Sequence, residues 1–278
     1  MMTEQSLGAC GWCLDRYDLR RSVEIAAQEL DLNRVQLGFF SAAAVLEADV
    51  DAILATAKAH TVQLVGVFLA FEGEDYASVE AIARTGGLAP DAVFAGRLEL
   101  LRECARRTRD LGCPNLALQA GTVPSDVRSP TFAKLLSRVG EAADLARQME
   151  LELLLETGRE SADILLRFIE ALARPNVRVN LDPANFVAYG TDDPVRAAVA
   201  LRERTAVVHL KDAKSPPRPG MLLGKPASLG SGDAQIARVL SKLRAGGYEG
   251  PLLIECDVQR FGLEVVRSAV DYVRSMLR

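Results

Sequence analysis

Residues 151–158 read LELLLETG, residues 177–185 VRVNLDPAN, residues 206–212 AVVHLKD and residues 251–256 PLLIEC. Each stretch is a short apolar run that closes on a polar residue: Glu156, Asp182, His209 and Glu255. A helical pattern follows each of them. Runs of this length, nearly continuous in Val, Ile and Leu, suit strands buried on both faces of a parallel sheet. Side chains alternate along a strand. Glu152, Leu154 and Glu156 therefore share one face, as do Arg178, Asn180 and Asp182, then Val207, His209 and Lys211, and finally Leu253 and Glu255. The opposite faces are apolar and must pack under helices, so the polar faces are expected to point into a barrel. Four functional side chains then meet at one mouth.

Outward from these runs the same alternation continues. Strands are expected near Leu7–Gly11, Arg34–Phe39, Val62–Leu69, Asn115–Ala120, Glu150–Glu156, Val177–Asp182, Ala206–Lys211 and Pro251–Cys256. Helices are expected over Asp15–Leu30, Ala42–His60, Ala92–Leu111, Phe132–Met149, Ala162–Ala173, Asp193–Arg204, Ala234–Gly246 and Leu263–Leu277. Strand-plus-helix units in a chain of 278 residues predict an α/β protein, a single (β/α)8 TIM barrel over residues 1–278. A doubly wound sheet would want a glycine-rich turn after the first strand, and none is there. Two long loops follow strands, 70–89 and 213–232, and both are candidate lids on the catalytic face.

Composition narrows the function. The net charge is -4, from 33 Lys+Arg against 37 Asp+Glu. That balance gives no footprint for nucleic acid or for an anionic membrane. The longest apolar run, VQLVGVFLAF at 62–71, is too short to span a bilayer. MMTEQSLGAC lacks the pattern of a signal peptide. The chain has 5 Cys, an odd number in a long sequence, so a disulfide framework is not expected. A reducing, cytoplasmic compartment is the default expectation.

Three carboxylates and one imidazole aimed at a common point are a divalent metal set. The residues are Glu156, Asp182, His209 and Glu255. Oxygen-rich ligation suits Mn²⁺, Mg²⁺ or Co²⁺ better than a thiolate-loving ion. Mn²⁺ is the expected cofactor, with Mg²⁺, Co²⁺ or Zn²⁺ as alternatives. Taken singly, a strand-end carboxylate is as often a helix N-cap or an ion-pair partner. Four on consecutive strands favour the metal.

The motifs LLLETG, NLDPAN, VVHLKD, LGSGD and GYEGPLLIEC, in that order, resemble the xylose-isomerase-like TIM barrel superfamily, the sugar isomerase and epimerase group. The resemblance covers essentially the whole chain, and FEGEDYASVEAIARTGGLAPD after the third strand is similar to the family's corresponding loop. It implies that Glu156, Asp182, His209 and Glu255 are the metal ligands. It also implies that Glu156 and Glu255 form the catalytic acid/base pair, on opposite faces of a sugar or related polyhydroxy carbonyl compound. One glutamate takes a proton from the carbon beside the carbonyl, and the other returns one, through an enediolate. The family's epimerases carry a substrate-contacting His three residues after the Asp ligand. This chain has Asn185 there, which can hydrogen-bond but cannot shuttle a proton near neutral pH. The rival readings are a metal-dependent dehydratase of a keto-inositol-type polyol and a non-catalytic sugar-binding barrel. The superfamily's DNA-repair nucleases need several histidines, and this chain has only His60 and His209.

Further candidates follow from position. Trp12, Asn185, Lys211 and Gln119 are expected to touch substrate, with Phe40 and Glu74 as weaker pocket candidates. Asp212 is expected to steady His209 or Lys211 from behind. Asp233 reads as a helix N-cap, and its charge argues against a phosphate site at Gly230–Asp233. Cys10-Gly11-Trp12-Cys13 is a CxxC, read here as small residues at a strand end. The expected partner is a small carbohydrate, with no nucleic acid or membrane, in a homodimer or homotetramer.

Overall fold

The computed structural model describes residues 6–256 and 262–277. Eight parallel strands close into a barrel: β1 Leu7–Cys10, β2 Arg34–Phe39, β3 Gln63–Leu69, β4 Asn115–Leu118, β5 Glu152–Glu156, β6 Val177–Leu181, β7 Thr205–Leu210 and β10 Leu252–Ile254. Their order around the barrel is β1-β10-β7-β6-β5-β4-β3-β2. A small antiparallel pair, β8 Asp212–Lys214 and β9 Lys225–Ala227, sits in the loop after β7. Eleven α-helices are described: α1 Leu19–Leu30, α2 Ala42–Leu46, α3 Val50–Ala59, α4 Val79–Thr85, α5 Phe94–Asp110, α6 Pro130–Gln148, α7 Ala162–Leu172, α8 Pro183–Tyr189, α9 Pro194–Leu201, α10 Ile236–Ala245 and α11 Leu263–Leu277. This is the (β/α)8 TIM barrel that the sequence pattern predicts. None of the described helices is long and apolar enough to cross a membrane.

The alternation along β5 shows how the sequence builds both layers. Leu153 and Leu155 point outward into the main core, under the helices. Leu154 points inward, into a smaller cluster with Val65, Ala117, Val207 and Leu253. Helix α7 starts on Ser161, whose hydroxyl accepts from Ile164 N. Its buried face is Leu165, Phe168, Ile169 and Leu172, a 3–4 spacing. Full burial of each such side chain contributes about 1.5–3 kcal/mol. Replacing Phe168 by Ala would cost about 3–5 kcal/mol.

Three local expectations are corrected. The helix expected over Ala42–His60 is two helices, because Asp49 turns its carboxylate onto Ala52 N and starts α3 afresh. The loop 70–89 contains α4, capped by Ser78 on Ala81 N. The helix expected over Asp193–Arg204 is preceded by a separate short helix, α8, directly after Asp182. Pro183 at the first helical position and Gly190 in the left-handed conformation after its end are ordinary helix start and stop signals.

Candidate metal centre

β5, β6, β7 and β10 are successive neighbours in the barrel. Glu156 pairs with Asn180, Leu181 with Val208, and His209 with Leu253. That register brings one ligand atom each from Glu156, Asp182, His209 and Glu255 within 4.8 Å of all the others. Nδ1 of His209 lies 3.0 Å from Glu156 Oε1 and 3.0 Å from Glu255 Oε2. Asp182 and His209 are fully buried. The four residues expected to converge are therefore placed together.

Asp182 does two jobs at once. Its Oδ1 accepts from Ala184 N at 2.9 Å and Asn185 N at 3.2 Å, capping α8. Its Oδ2 is buried and has no hydrogen-bond partner, and Glu255 Oε2, also buried, has only His209 Nδ1 beside it, at 3.0 Å. A buried acceptor left unpaired costs about 1–3 kcal/mol. Asp182 and Glu255 both belong to the cluster with His209 and Glu156. A divalent cation there would satisfy them, and hard oxygens with one imidazole are a suitable donor set.

The charges are strongly coupled. Burial pushes the Asp182 carboxyl up to about 7, helped by Glu255 and Glu156 and opposed by Lys211 and His209. Burial also opposes ionisation of Glu255, but Lys211 and His209 outweigh it and hold this carboxyl below the usual carboxylate range. Burial alone would lower both bases. The charge and hydrogen bonds of Cys10, Glu156 and Glu255 instead raise His209, and Glu255 with Asp182 raises Lys211. Lys211 Nζ stands 2.7 Å from Glu255 Oε1 and 3.8 Å from Asp182 Oδ2. A lysine held protonated in this way is a poor Schiff-base nucleophile.

Above the cluster lies a cavity of about 490 Å³. Trp12, Gln119, Asn185 and Lys211 all line it, together with the weaker candidates Phe40 and Glu74. Gln119 donates to Glu156 Oε2. Asn185 spends one amide hydrogen on Thr157 O, at 3.1 Å. Trp12 sits in a single 3₁₀ turn, with its ring 5.7 Å from that of His209 and 5.3 Å from Phe68. Gly38 makes room for it, since a Cβ there would come 2.6 Å from both Trp12 and Phe40. A neighbouring cleft of about 480 Å³ shares Arg16 and Phe40 with this cavity but carries none of the four clustered residues. His60 ends α3, away from the cluster.

Two expectations about acidic residues are corrected. Asp212 does not steady His209 or Lys211. Alternation turns it away from the barrel interior. Its carboxylate accepts from the N–H groups of Ala213, Gly230, Gly232 and Ala234, at 2.9–3.0 Å, and so fastens the loop after β7. Asp233 does not cap α10, whose N-cap residue is Gln235. It accepts from Ser215 N and Lys214 Nζ instead.

Sequence reading missed five participants. Gln36 Oε1 is 2.7 Å from His209 Nε2. Asn180 Nδ2 touches both His209 and Glu156. Cys10 forms a second candidate ligand group with His209 and Glu255. Tyr76 and Tyr189 line the cavity, and Tyr76 OH donates to Glu74 Oε2. Alternation along β2 would have placed Gln36 inward. A lone glutamine in a strand gives no other signal.

A family model described as Xylose isomerase-like TIM barrel matches residues 25–276. A xylose isomerase domain protein from Planctomyces limnophilus is 32% identical, with a TM-score of 0.87 over 91% of each chain. The L-ribulose-5-phosphate 3-epimerase UlaE of Salmonella typhi is 26% identical over 200 residues, 64% of this chain and 68% of its own length. For its counterpart in Shigella dysenteriae serotype 1 (strain Sd197) the match spans 59% of the relative's length. A D-allulose 3-epimerase from Methylomonas sp., solved in complex with D-allulose, has a TM-score of 0.73 at 15% identity, over 99% of this chain and 97% of that one. At that identity the likeness speaks for the fold.

Proposed function

The chain belongs to the xylose isomerase-like TIM barrel family, and from that premise we propose that it is a divalent-metal-dependent isomerase or epimerase of a sugar or related polyhydroxy carbonyl compound. The observation that carries this reading is the convergence of Glu156, Asp182, His209 and Glu255, with Asp182 Oδ2 buried and left without a hydrogen-bond partner. These four residues would hold the cation. When bound, it would supply positive charge that polarises the substrate's carbonyl and so acidifies the neighbouring hydroxyl-bearing carbon.

The chain's own residues do the rest. Glu156 and Glu255 both line the cavity. One takes the proton from that carbon to give an enediolate, and the other delivers a proton to the opposite face. Lys211 keeps Glu255 ionised, so Glu255 starts the cycle as a proton acceptor. Gln119 orients Glu156 through its hydrogen bond. Trp12 and Phe68 give an apolar wall on which a sugar ring can lie, and Asn185 and Lys211 offer polar contacts to hydroxyls. Mn²⁺ is the proposed ion, with Mg²⁺ close behind, and the ligand is a small carbohydrate.

A dehydratase of a polyol shares the first proton abstraction. Asn185, in the place where the family's epimerases carry a histidine, keeps that alternative open. Incubation of the Mn²⁺-loaded protein in D₂O with a panel of ketoses, aldoses and inososes tests both. Deuterium next to a carbonyl at unchanged skeleton, abolished by Glu156→Gln and Glu255→Gln, supports the isomerase. Loss of one water from the product supports the dehydratase. Metal-loaded protein that exchanges no substrate hydrogen in any of the panel goes against both.

A further inference from the structure

Gln36 sits in the middle of β2, fully buried, level with Cys10 on β1 and Gly66 on β3. Its Oε1 lies 2.7 Å from His209 Nε2. Its Nε2 is buried and has no partner. A fold rarely leaves a side-chain amide half satisfied in its core without a reason.

The geometry points to Gln36 as the residue that sets the tautomer of His209. This rests on the metal reading above. A neutral imidazole carries one N–H, and the other nitrogen is an acceptor. The cluster faces Nδ1, which stands 3.0 Å from carboxylate oxygens on both flanks. To ligate a cation, Nδ1 must present its lone pair, so the proton must sit on Nε2. An acceptor at Nε2 selects that form, and a donor there would select the opposite one; Asn180 Nδ2, 3.2 Å from both ring nitrogens, favours neither, so the choice falls to Gln36. Gln36 can offer either end of its amide. Only the orientation with the oxygen inward serves a ligand at Nδ1, and it leaves the NH₂ without a partner. Gln36 touches neither substrate nor cation. It is a positioning residue that acts through His209.

The test compares Gln36→Met, which keeps length and loses the acceptor, with Gln36→Glu, which keeps an acceptor. Trp12 is the single tryptophan and packs on His209, so quenching of its fluorescence by Mn²⁺ reports binding. Gln36→Met should bind Mn²⁺ about 10–100-fold more weakly than the parent, whereas Gln36→Glu should bind at least as tightly as the parent. With Mg²⁺ bound, ¹⁵N spectra of the histidines should show one Nε2–H form for His209 in the parent and in Gln36→Glu, and a mixture in Gln36→Met. Should Gln36→Met not fold, Gln36→Asn withdraws the oxygen by one methylene and serves in its place. Parent-like Mn²⁺ binding and a single tautomer in the acceptor-deleted variant overturn the assignment. So does equal weakening in Gln36→Glu, which would mean that Gln36 only packs. A parent protein that binds no Mn²⁺ would instead sink the metal reading itself.

Discussion

Replacing Asp182 by Asn should make the metal-free protein more stable, and added metal should narrow that advantage. Burial, with Glu255 and Glu156 nearby, raises the Asp182 carboxyl from 3.8 to about 7. A carboxyl that is harder to ionise in the folded state than in the unfolded state costs stability as the pH rises between those values. The penalty is absent in acid and complete above the folded value. The gap from 3.8 to about 7 corresponds to a cost on the order of 4 kcal/mol near pH 8. Asn keeps an oxygen for the N–H groups of Ala184 and Asn185, so the cap on α8 survives while the charge goes. At about 2–4 °C per kcal/mol for a protein of this size, the variant in chelator should melt roughly 8–16 °C above the parent near pH 8. Near pH 4 the two should melt together. Mn²⁺ at a hundred times its dissociation constant should then add about 2.7 kcal/mol to the parent and almost nothing to the variant. Thermal unfolding followed by circular dichroism, at both pH values and with chelator or Mn²⁺, reads all four cases. A metal-free variant that melts below the parent near pH 8, or a gap of equal size in acid, would refute the reasoning.

Lys211→Met should raise the Glu255 carboxyl toward the ordinary range, because Lys211 is the leading group that holds it down. The acidic limb of the pH profile of turnover should move to higher pH, while Mn²⁺ binds more tightly for want of a competing ammonium. An unmoved limb would show that Lys211 does not govern the reacting carboxylate. Asp212→Ala should destabilise the fold by about 3 kcal/mol or more, since it strips several buried or half-buried N–H groups of their acceptor. Its Mn²⁺ affinity, read by Trp12 quenching, should stay at the parent value because Asp212 has no contact with the cluster. A large loss of affinity at unchanged stability would return Asp212 to the role first expected for it.

The reach of the sequence follows from what each signal encodes. Glu156, Asp182, His209 and Glu255 were legible because strand alternation fixes which face a residue takes, and each interrupts an apolar run on the inward face. The same rule placed Lys211 at the cavity, and position at a strand end placed Gln119 there. Asp212 shows its limit. Adjacency to Lys211 suggested a supporting role, but alternation sends neighbours to opposite faces, and the partners of Asp212 lie 18–22 residues downstream, apart from Ala213. Gln36 and His209 are 173 residues apart, and only closure of the barrel between β1 and β10 brings them together. The break between α2 and α3 was missed because hydrophobic periodicity runs through it, while Asp49 could be read as an exposed helical acid until its cap on Ala52 N was seen.

On the proposed metal reading, a dual role for Asp182 explains how the centre would tolerate Asn185 at its position. A ligand on a free loop would need other contacts to aim it. Here the first turn of α8 pins Oδ1 through two N–H donors, and Thr157 Oγ1 accepts from Asp182 N at 2.8 Å. With one oxygen fixed, the plane of the carboxylate fixes the other, and Oδ2 is left without a hydrogen-bond partner. The N-cap interpretation and the ligand interpretation of this residue are therefore not rivals, because the cap is the device that aims the ligand. Asn185 contributes only its backbone N–H to that cap, and an N–H is supplied by any residue except proline. Its side chain is free to differ from a histidine without disturbing the metal position. Specificity among sugars can thus change at residue 185 while Glu156, Asp182, His209 and Glu255 stay in place.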